Sequence, residues 1–148
     1  MVQLHPPVID IAHVIQSSVA PVFLLSGVAA TLAVLTNRLG RIVDRGRTLE
    51  QQFEHQPGKA AQLHADLLVL ARRARYINIA LSLATIAALL VALVVVTLFL
   101  HAFLGSDLGA LIALLFSAAM LCLSAAYVAF LIEVRVAMVA LRIGLKLS

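Results

Sequence analysis

The sequence predicts an all-α membrane protein with three transmembrane helices and a cytoplasmic antiparallel helical hairpin between the first and the second. Three observations predict this fold. The composition is 63% hydrophobic and 12% charged, whereas soluble domains are about half apolar and about a quarter charged. Three unbroken apolar runs each approach the roughly 20 residues with which a helix crosses hydrocarbon. All eleven Lys and Arg residues lie in two segments that flank these runs.

The three runs predict transmembrane helices at residues 18–36, 77–104 and 108–132. Because the apolar residues are continuous rather than alternating, they are typical of helices and not of barrel strands. We expect residues 1–148 to form a single membrane domain. The chain begins without the positively charged region of a signal peptide, so the first helix is expected to remain in the protein.

The basic residues also predict an orientation. They occur from Arg38 to Arg75 and from Arg135 to Lys146, and none occurs in residues 1–37 or 104–108. Since Lys and Arg are retained on the cytoplasmic side, the amino terminus should be outside and the carboxyl terminus inside a bacterial inner membrane. The net charge of +4 is also compatible with nucleic-acid binding, but no nucleic-acid motif accompanies it, and we expect no such partner.

Residues 37–76 carry the pattern of a cytoplasmic helical hairpin. Apolar or small residues recur at alternating steps of four and three in two rows, which is typical of helices that pack on each other. The rows are Leu35, Leu39, Ile42, Gly46, Leu49 and Phe53, and Leu63, Leu67, Leu70, Ala74, Ile77 and Leu81. Folding at Pro57 and Gly58 would bring the rows together in antiparallel register. The alternative is an unstructured basic loop.

The two ends of the chain are predicted to be helical as well. Residues 133–148 should form a cytoplasmic helix whose row of Val134, Met138, Leu141 and Leu145 packs against the base of the hairpin or forms an interface with a neighbouring subunit. Residues 8–20 are predicted to form an outer amphipathic helix with Asp10, His13 and Ser17 on one face. Pro21 should then break or kink the chain at the entry to the first span.

Small residues recur at four-residue spacing in the apolar runs, where they permit helices to approach closely in lipid. They are Gly27 and Thr31, then Ala80, Ala84, Ala88 and Ala92, and finally Ala113, Ser117, Ala125 and Ala129. Three helices have few buried faces among themselves. The surplus of small residues therefore predicts a homo-oligomer.

Two groups of side chains are candidate functional residues. Six arginines near the predicted cytoplasmic boundary are expected to contact the head groups of anionic phospholipids, with partner or anion binding as the alternative. They are Arg38, Arg41, Arg45, Arg72, Arg73 and Arg75. On the outer side, Asp10, His13 and Ser17 either lie at the membrane interface or line the mouth of a cation or proton pathway in an oligomer.

Other chemistry has little support in the sequence. An outer metal site made of His5, Asp10, His13, His101 and Asp107 would match no defined ligand spacing, and we expect no metal or cofactor. Cys122, the single cysteine, is interpreted as a packing residue. No hydrolase, metalloprotease or phosphate-loop motif is visible, so no enzymatic activity and no catalytic residue are predicted.

The segment VIQSSVAPVFLLSGVAATLAVLTNRLGRIVDRGRTLE, residues 14–50, resembles a family of small bacterial integral inner-membrane proteins known only as a domain of unknown function. The matching features are Ala20-Pro21 followed by Phe23-Leu24-Leu25, and the segments Asn37–Ile42 and Asp44-Arg45. The resemblance covers most of the chain. It implies a membrane protein and brings no activity, cofactor or catalytic residue.

The leading functional hypothesis is a non-enzymatic, homo-oligomeric membrane protein that acts as an assembly or interaction module through its cytoplasmic helices. The alternative is an oligomeric, pH-sensitive ion channel with Asp10 and His13 at its outer mouth. Spans two and three carry no Asp, Glu, Lys or Arg in their central stretches, which counts against an ion-coupled transporter.

Overall fold

A computed structural model shows three α-helices and describes residues 7–55, 58, 60–104 and 107–146, with side chains described over 11–52, 58, 61–104 and 107–139. Helix α1 spans Pro7–His55, α2 spans Ala60–Leu104 and α3 spans Gly109–Lys146. All three are long and apolar enough to cross a membrane, over Ile11–Gln52, Ala61–Leu104 and Gly109–Val139. The prediction of an all-α protein with three such helices is confirmed.

The helices are longer than a membrane requires. At 1.5 Å per residue, the 49 residues of α1 and the 45 of α2 extend for roughly 70 Å each, against about 40–45 Å for a bilayer with its head groups. Residues 8–20, the first span and the first arm of the predicted hairpin therefore belong to one continuous helix. Membrane location, orientation and the antiparallel hairpin remain predictions.

Helix α1 continues through Pro21 without ending, so the chain does not break at this residue, and the kink that was expected as the other outcome stays a prediction. Proline removes one backbone hydrogen bond. Helices in membranes tolerate this loss when neighbouring groups satisfy the freed carbonyl. The Pro21 side chain is buried, and it occupies one position of the regular buried row of α1.

Each helix buries a row of residues with a seven-residue repeat, the spacing at which helices pack along a shared seam. Five residues of α1 are buried at every seventh position: Pro21, Val28, Leu35, Ile42 and Leu49. Helix α2 buries Ile77, Ala80, Ala84, Ala87, Val91 and Val94, and α3 buries Ala119, Leu123, Ala126, Ala129 and Glu133. The seam of α3 thus contains a carboxylate.

The two predicted rows of the hairpin are on the packed sides of α1 and α2. Leu35, Ile42, Leu49, Leu63 and Ile77 are buried. The remaining described members, Leu39, Gly46, Leu67, Leu70, Ala74 and Leu81, are half-buried, and the Phe53 side chain lies outside the described residues. A loop without structure between the first two spans is excluded, because both segments are helical.

Two of the predicted rows differ from the structure. On α3, Val134 is half-buried and Met138 is 55% exposed, because the buried row runs one residue earlier and passes through Glu133; Leu141 and Leu145 have no described side chains. On α2, Ala80 and Ala84 are buried, but Ala88 and Ala92 are only half-buried. The buried row follows steps of three and four rather than a constant step of four, and therefore continues through Ala87 and Val91.

The chain divides into two compact units. The first, here called the apolar unit, consists of Met1–Thr31 and Ala84–Leu123. The second, the basic unit, consists of Leu32–Leu83 and Ser124–Ser148 and contains every Lys and Arg of the sequence. Each unit therefore contains segments of all three helices.

Candidate functional site: a buried carboxylate between two arginines

In the basic unit, three residues, one from each helix, form an Arg–Glu–Arg triad. The Arg38 Nη1 of α1 donates to Glu133 Oε2 of α3 at 2.6 Å. Arg73 of α2 donates to Glu133 Oε1 through Nε at 3.0 Å and through Nη2 at 2.9 Å. One carboxylate thus receives three charge-assisted hydrogen bonds from two different helices, and such bonds are about twice as strong as neutral ones.

Burial makes this triad a structural requirement. The Glu133 side chain has no solvent exposure, whereas those of Arg38 and Arg73 are 30% and 27% exposed. An unpaired buried carboxylate is strongly destabilising, so both arginines are needed to compensate the loss of water. Over the stretches with described side chains, every buried side-chain nitrogen or oxygen has a hydrogen-bond partner.

The aromatic ring of Phe130 on α3 lies against the Arg38 guanidinium. The Arg38 Cζ lies 5.1 Å from the centroid of the Phe130 ring, which is within the range of a cation–π interaction. Phe130 is three residues before Glu133 and therefore lies on the same side of α3, one turn away. Arg38 is oriented by both side chains.

Beside the triad lies a cavity of about 300 Å³ in the basic unit. Its polar lining comes from Arg38, Arg41 and Arg45 on α1 and from Arg73 on α2, and its apolar lining from Ile42 and Leu70. Arg38, Arg41 and Arg45 share one side of α1 because they are spaced at i, i+3 and i+7. Since Glu133 is the one carboxylate paired with these four arginines among the described residues, the cavity carries an excess of positive charge.

The six arginines that the sequence identified as candidate functional residues lie in three different environments. Arg38 and Arg73 are half-buried and pair with Glu133, while Arg41 and Arg45 are exposed and line the cavity. Arg72 and Arg75 are exposed, and Arg75 lines a separate shallow groove with small residues of α2. Contact with lipid head groups stays a prediction for all six.

The proposal that Asp10, His13 and Ser17 line a pathway in an oligomer stays a prediction. His13 and Ser17 are exposed, and the Ser17 hydroxyl donates to the His13 carbonyl at 2.8 Å; the Asp10 side chain lies outside the described residues. The hydrogen bond of the Ser17 hydroxyl is therefore made within α1. Nothing in the described part of the chain supports the ion-channel alternative.

Among the residues considered for metal binding, His101 and Asp107 are exposed, and His5 lies outside the described residues. Cys122, which was interpreted as a packing residue, is half-buried. The Asp107 Oδ1 accepts a hydrogen bond from the Gly109 N–H at 3.2 Å and so satisfies one of the free donors at the start of α3. In the described ranges, no group of three or more His, Cys, Asp or Glu side chains lies close enough to hold a metal ion.

Glu133 was not identified from the sequence, although a signal for it exists. It follows Ala119 and Ala126 at intervals of seven residues and so occupies a seam position of α3. A carboxylate on the packed side of an apolar helix predicts a buried basic partner. The third apolar run ends at Ile132, and the seam was expected to pass through Val134. For these two reasons Glu133 was assigned to a solvated segment.

The fold and the triad define an all-α protein with three helices long enough to span a membrane and an ion triad that connects them in the basic unit. The chain matches the family described as "Protein of unknown function (DUF2721)" over residues 18–143 and belongs to that family. This confirms the resemblance to a family of unknown function. No curated protein and no solved structure matches the chain.

Proposed function

We propose that this chain is a non-enzymatic membrane protein that acts as an assembly module, with a cytoplasmic antiparallel hairpin formed by α1 and α2. The observation that carries the proposal is the triad of Arg38, Arg73 and Glu133. It connects the three helices next to the ends of the apolar runs. The carboxylate has no solvent exposure and receives three charge-assisted hydrogen bonds. These bonds give the three helices one defined arrangement where they leave the membrane.

The seams beyond the triad support a projecting, packed hairpin. Ile42 and Leu49 on α1 and Leu63 on α2 are 6%, 4% and 7% exposed. The exposed residues include Arg47, Thr48, Glu50 and Asp66, together with the apolar Val43, Leu68 and Val69. A buried apolar face and an outer face with charged residues are expected of two helices that pack together in water. Such an arm presents a fixed, solvated surface to partners.

The positions of Lys and Arg support the proposed orientation in a bacterial inner membrane. All of them belong to the basic unit, and none lies in residues 1–37 or 104–108. With the basic unit in the cytoplasm, the amino terminus is outside and the carboxyl terminus inside.

The orientation can be tested with single cysteines. In a Cys122→Ser background, Arg47→Cys should react with a membrane-impermeant maleimide only in inverted vesicles. Asp107→Cys should react only in intact spheroplasts. Labelling of Arg47→Cys from outside would reverse the proposed topology.

Helix α1 also has a face suited to a second copy of the chain. Five small or polar residues are exposed at alternating steps of four and three: Ser26, Ala30, Ala33, Asn37 and Gly40. A Cβ built at Gly40 would meet no atom within 4 Å. In lipid, faces of small residues allow the close backbone approach that drives helix association. We therefore propose that assembly includes a homo-oligomer formed through this face.

The mass of the purified full chain in a mild detergent, measured by native mass spectrometry, tests the homo-oligomer. The unmodified chain should be a multimer, and Ala30→Leu/Ala33→Leu should shift it to the monomer because leucines prevent close approach. Ala20→Leu/Ala110→Leu is the matched control, since both alanines are exposed and lie off this face. A monomeric unmodified chain, or equal loss in both variants, would refute the proposed interface.

A further inference from the structure

We infer that the cavity beside the triad is a binding site for a phosphate group, and that Arg41 and Arg45 are the side chains that bind it. This inference deepens the proposed function by assigning a ligand to its cytoplasmic boundary. The cavity of about 300 Å³ is lined by four arginines, Ile42 and Leu70. Since a water molecule occupies about 30 Å³ in the liquid, a phosphate group fits with several waters.

The charge balance favours an anion. Glu133 occupies Arg38 Nη1 and two donors of Arg73, and no described residue forms an ion pair with Arg41 or Arg45. Both are exposed, so their guanidinium donors are accessible. Arginine presents its donors as a planar fork that matches the oxygens of phosphate, which makes it the preferred residue for this group.

The triad holds two of the arginines at the cavity wall, and a bound phosphate does not require the triad's own hydrogen bonds to break. Arg38 and Arg73 cannot turn away from the cavity without leaving Glu133 unpaired, and that would be costly for a carboxylate with no solvent exposure. Their positive charges therefore remain at the cavity wall. Arg41 and Arg45 then meet the phosphate within a positive field, with Ile42 and Leu70 as the apolar part of the wall.

The position along α1 indicates the head group of an anionic phospholipid as one source of this phosphate. Arg38 follows the first apolar run, Arg41 is about 4–5 Å further along the axis at 1.5 Å per residue, and Arg45 is about 10 Å further, so that only its long side chain would reach back to the head groups. The polar layer on each side of the hydrocarbon is roughly 5–8 Å thick. Free inorganic phosphate has the same chemistry and is the second source.

The full chain, purified in dodecyl maltoside, should be titrated separately with phosphatidylglycerol, phosphatidylcholine and inorganic phosphate, and bound species counted by native mass spectrometry. The test variant is Arg41→Gln/Arg45→Gln. Neither side chain has a described ion pair, so the fold should persist, which the helical circular-dichroism signal can verify. The matched control is Arg72→Gln/Arg75→Gln, which removes the same charge at exposed positions outside the cavity.

We expect at least about tenfold weaker phosphate-group binding in the test variant, which corresponds to losing one charge-assisted hydrogen bond, and less than about threefold in the control. Binding of phosphatidylglycerol but not of inorganic phosphate would identify a lipid site, and the converse a site for free phosphate. Equal loss in both variants, no loss in the test variant, or equally tight binding of phosphatidylcholine that does not depend on these arginines would overturn the inference. A monomeric protein that passes this test would refute the homo-oligomer alone.

Discussion

The apolar unit and the basic unit use the same helical repeat to build two different cores. The apolar unit buries mainly small and β-branched residues, such as Ala84, Ala87 and Val91 on α2 and Ala119 on α3. The basic unit also buries alanines, but it adds larger aliphatic side chains, among them Leu35, Ile42 and Ile77, and it buries Glu133. The helices are the same three, so the difference lies in what the seam positions contain.

The two units also differ in the hydrogen bonds that their described polar side chains make. In the apolar unit, the hydroxyls of Ser26, Thr31 and Thr97 donate to carbonyls four residues earlier on their own helices. In the basic unit, Glu133 receives its hydrogen bonds from two other helices. Small residues permit close approach of helices in lipid, whereas the triad makes directed hydrogen bonds between three helices. The comparison indicates that the basic unit supplies directional contacts among the three helices.

The largest effect is expected from breaking the triad while its carboxylate remains. Arg38→Leu/Arg73→Leu leaves Glu133 buried and unpaired, and the removal of partners from a buried charge costs about 3–5 kcal/mol. The free energy of unfolding should fall by this amount in a denaturation titration of the detergent-solubilised chain.

Two further variants separate the triad from general effects of charge. Adding Glu133→Leu to the double variant should restore most of the stability, since replacement of a whole buried ion triad by apolar residues is often neutral. Arg72→Leu/Arg75→Leu removes the same charge at exposed positions and should change stability by less than about 1 kcal/mol. A triple variant as unstable as the double variant would contradict the assignment.

The sequence was sufficient for most of the fold. Three long apolar runs predicted three helices, and the steps of four and three predicted the packed sides of the arms, since Leu35, Ile42, Leu49 and Leu63 are all buried. These features depend on local periodicity, which is readable along one chain. The sequence did not decide between a break and a kink at Pro21, where α1 is continuous, because the effect of proline depends on which groups surround it.

The site was predicted in part. The sequence identified Arg38, Arg41, Arg45 and Arg73 as a group near the end of the apolar runs, but it did not identify Glu133. That residue lies between an apolar run and a basic tail, and its burial depends on the rotation of α3 about its own axis. An error of one residue in the seam of α3 shifts the rotation by about 100°, enough to exchange Glu133 for Val134 on the buried side.

A smaller effect is expected in the apolar unit, where the comparison predicts sensitivity to size rather than to charge. Ala84 has no solvent exposure, so Ala84→Leu inserts three carbon atoms into a packed seam. Overpacking of this kind costs about 1–3 kcal/mol, and the same denaturation titration measures it. Ala113→Leu is the control, because Ala113 lies in the same unit and is exposed. If both substitutions were neutral, the seam of the apolar unit would not be closely packed, and the basic unit alone would hold the three helices together.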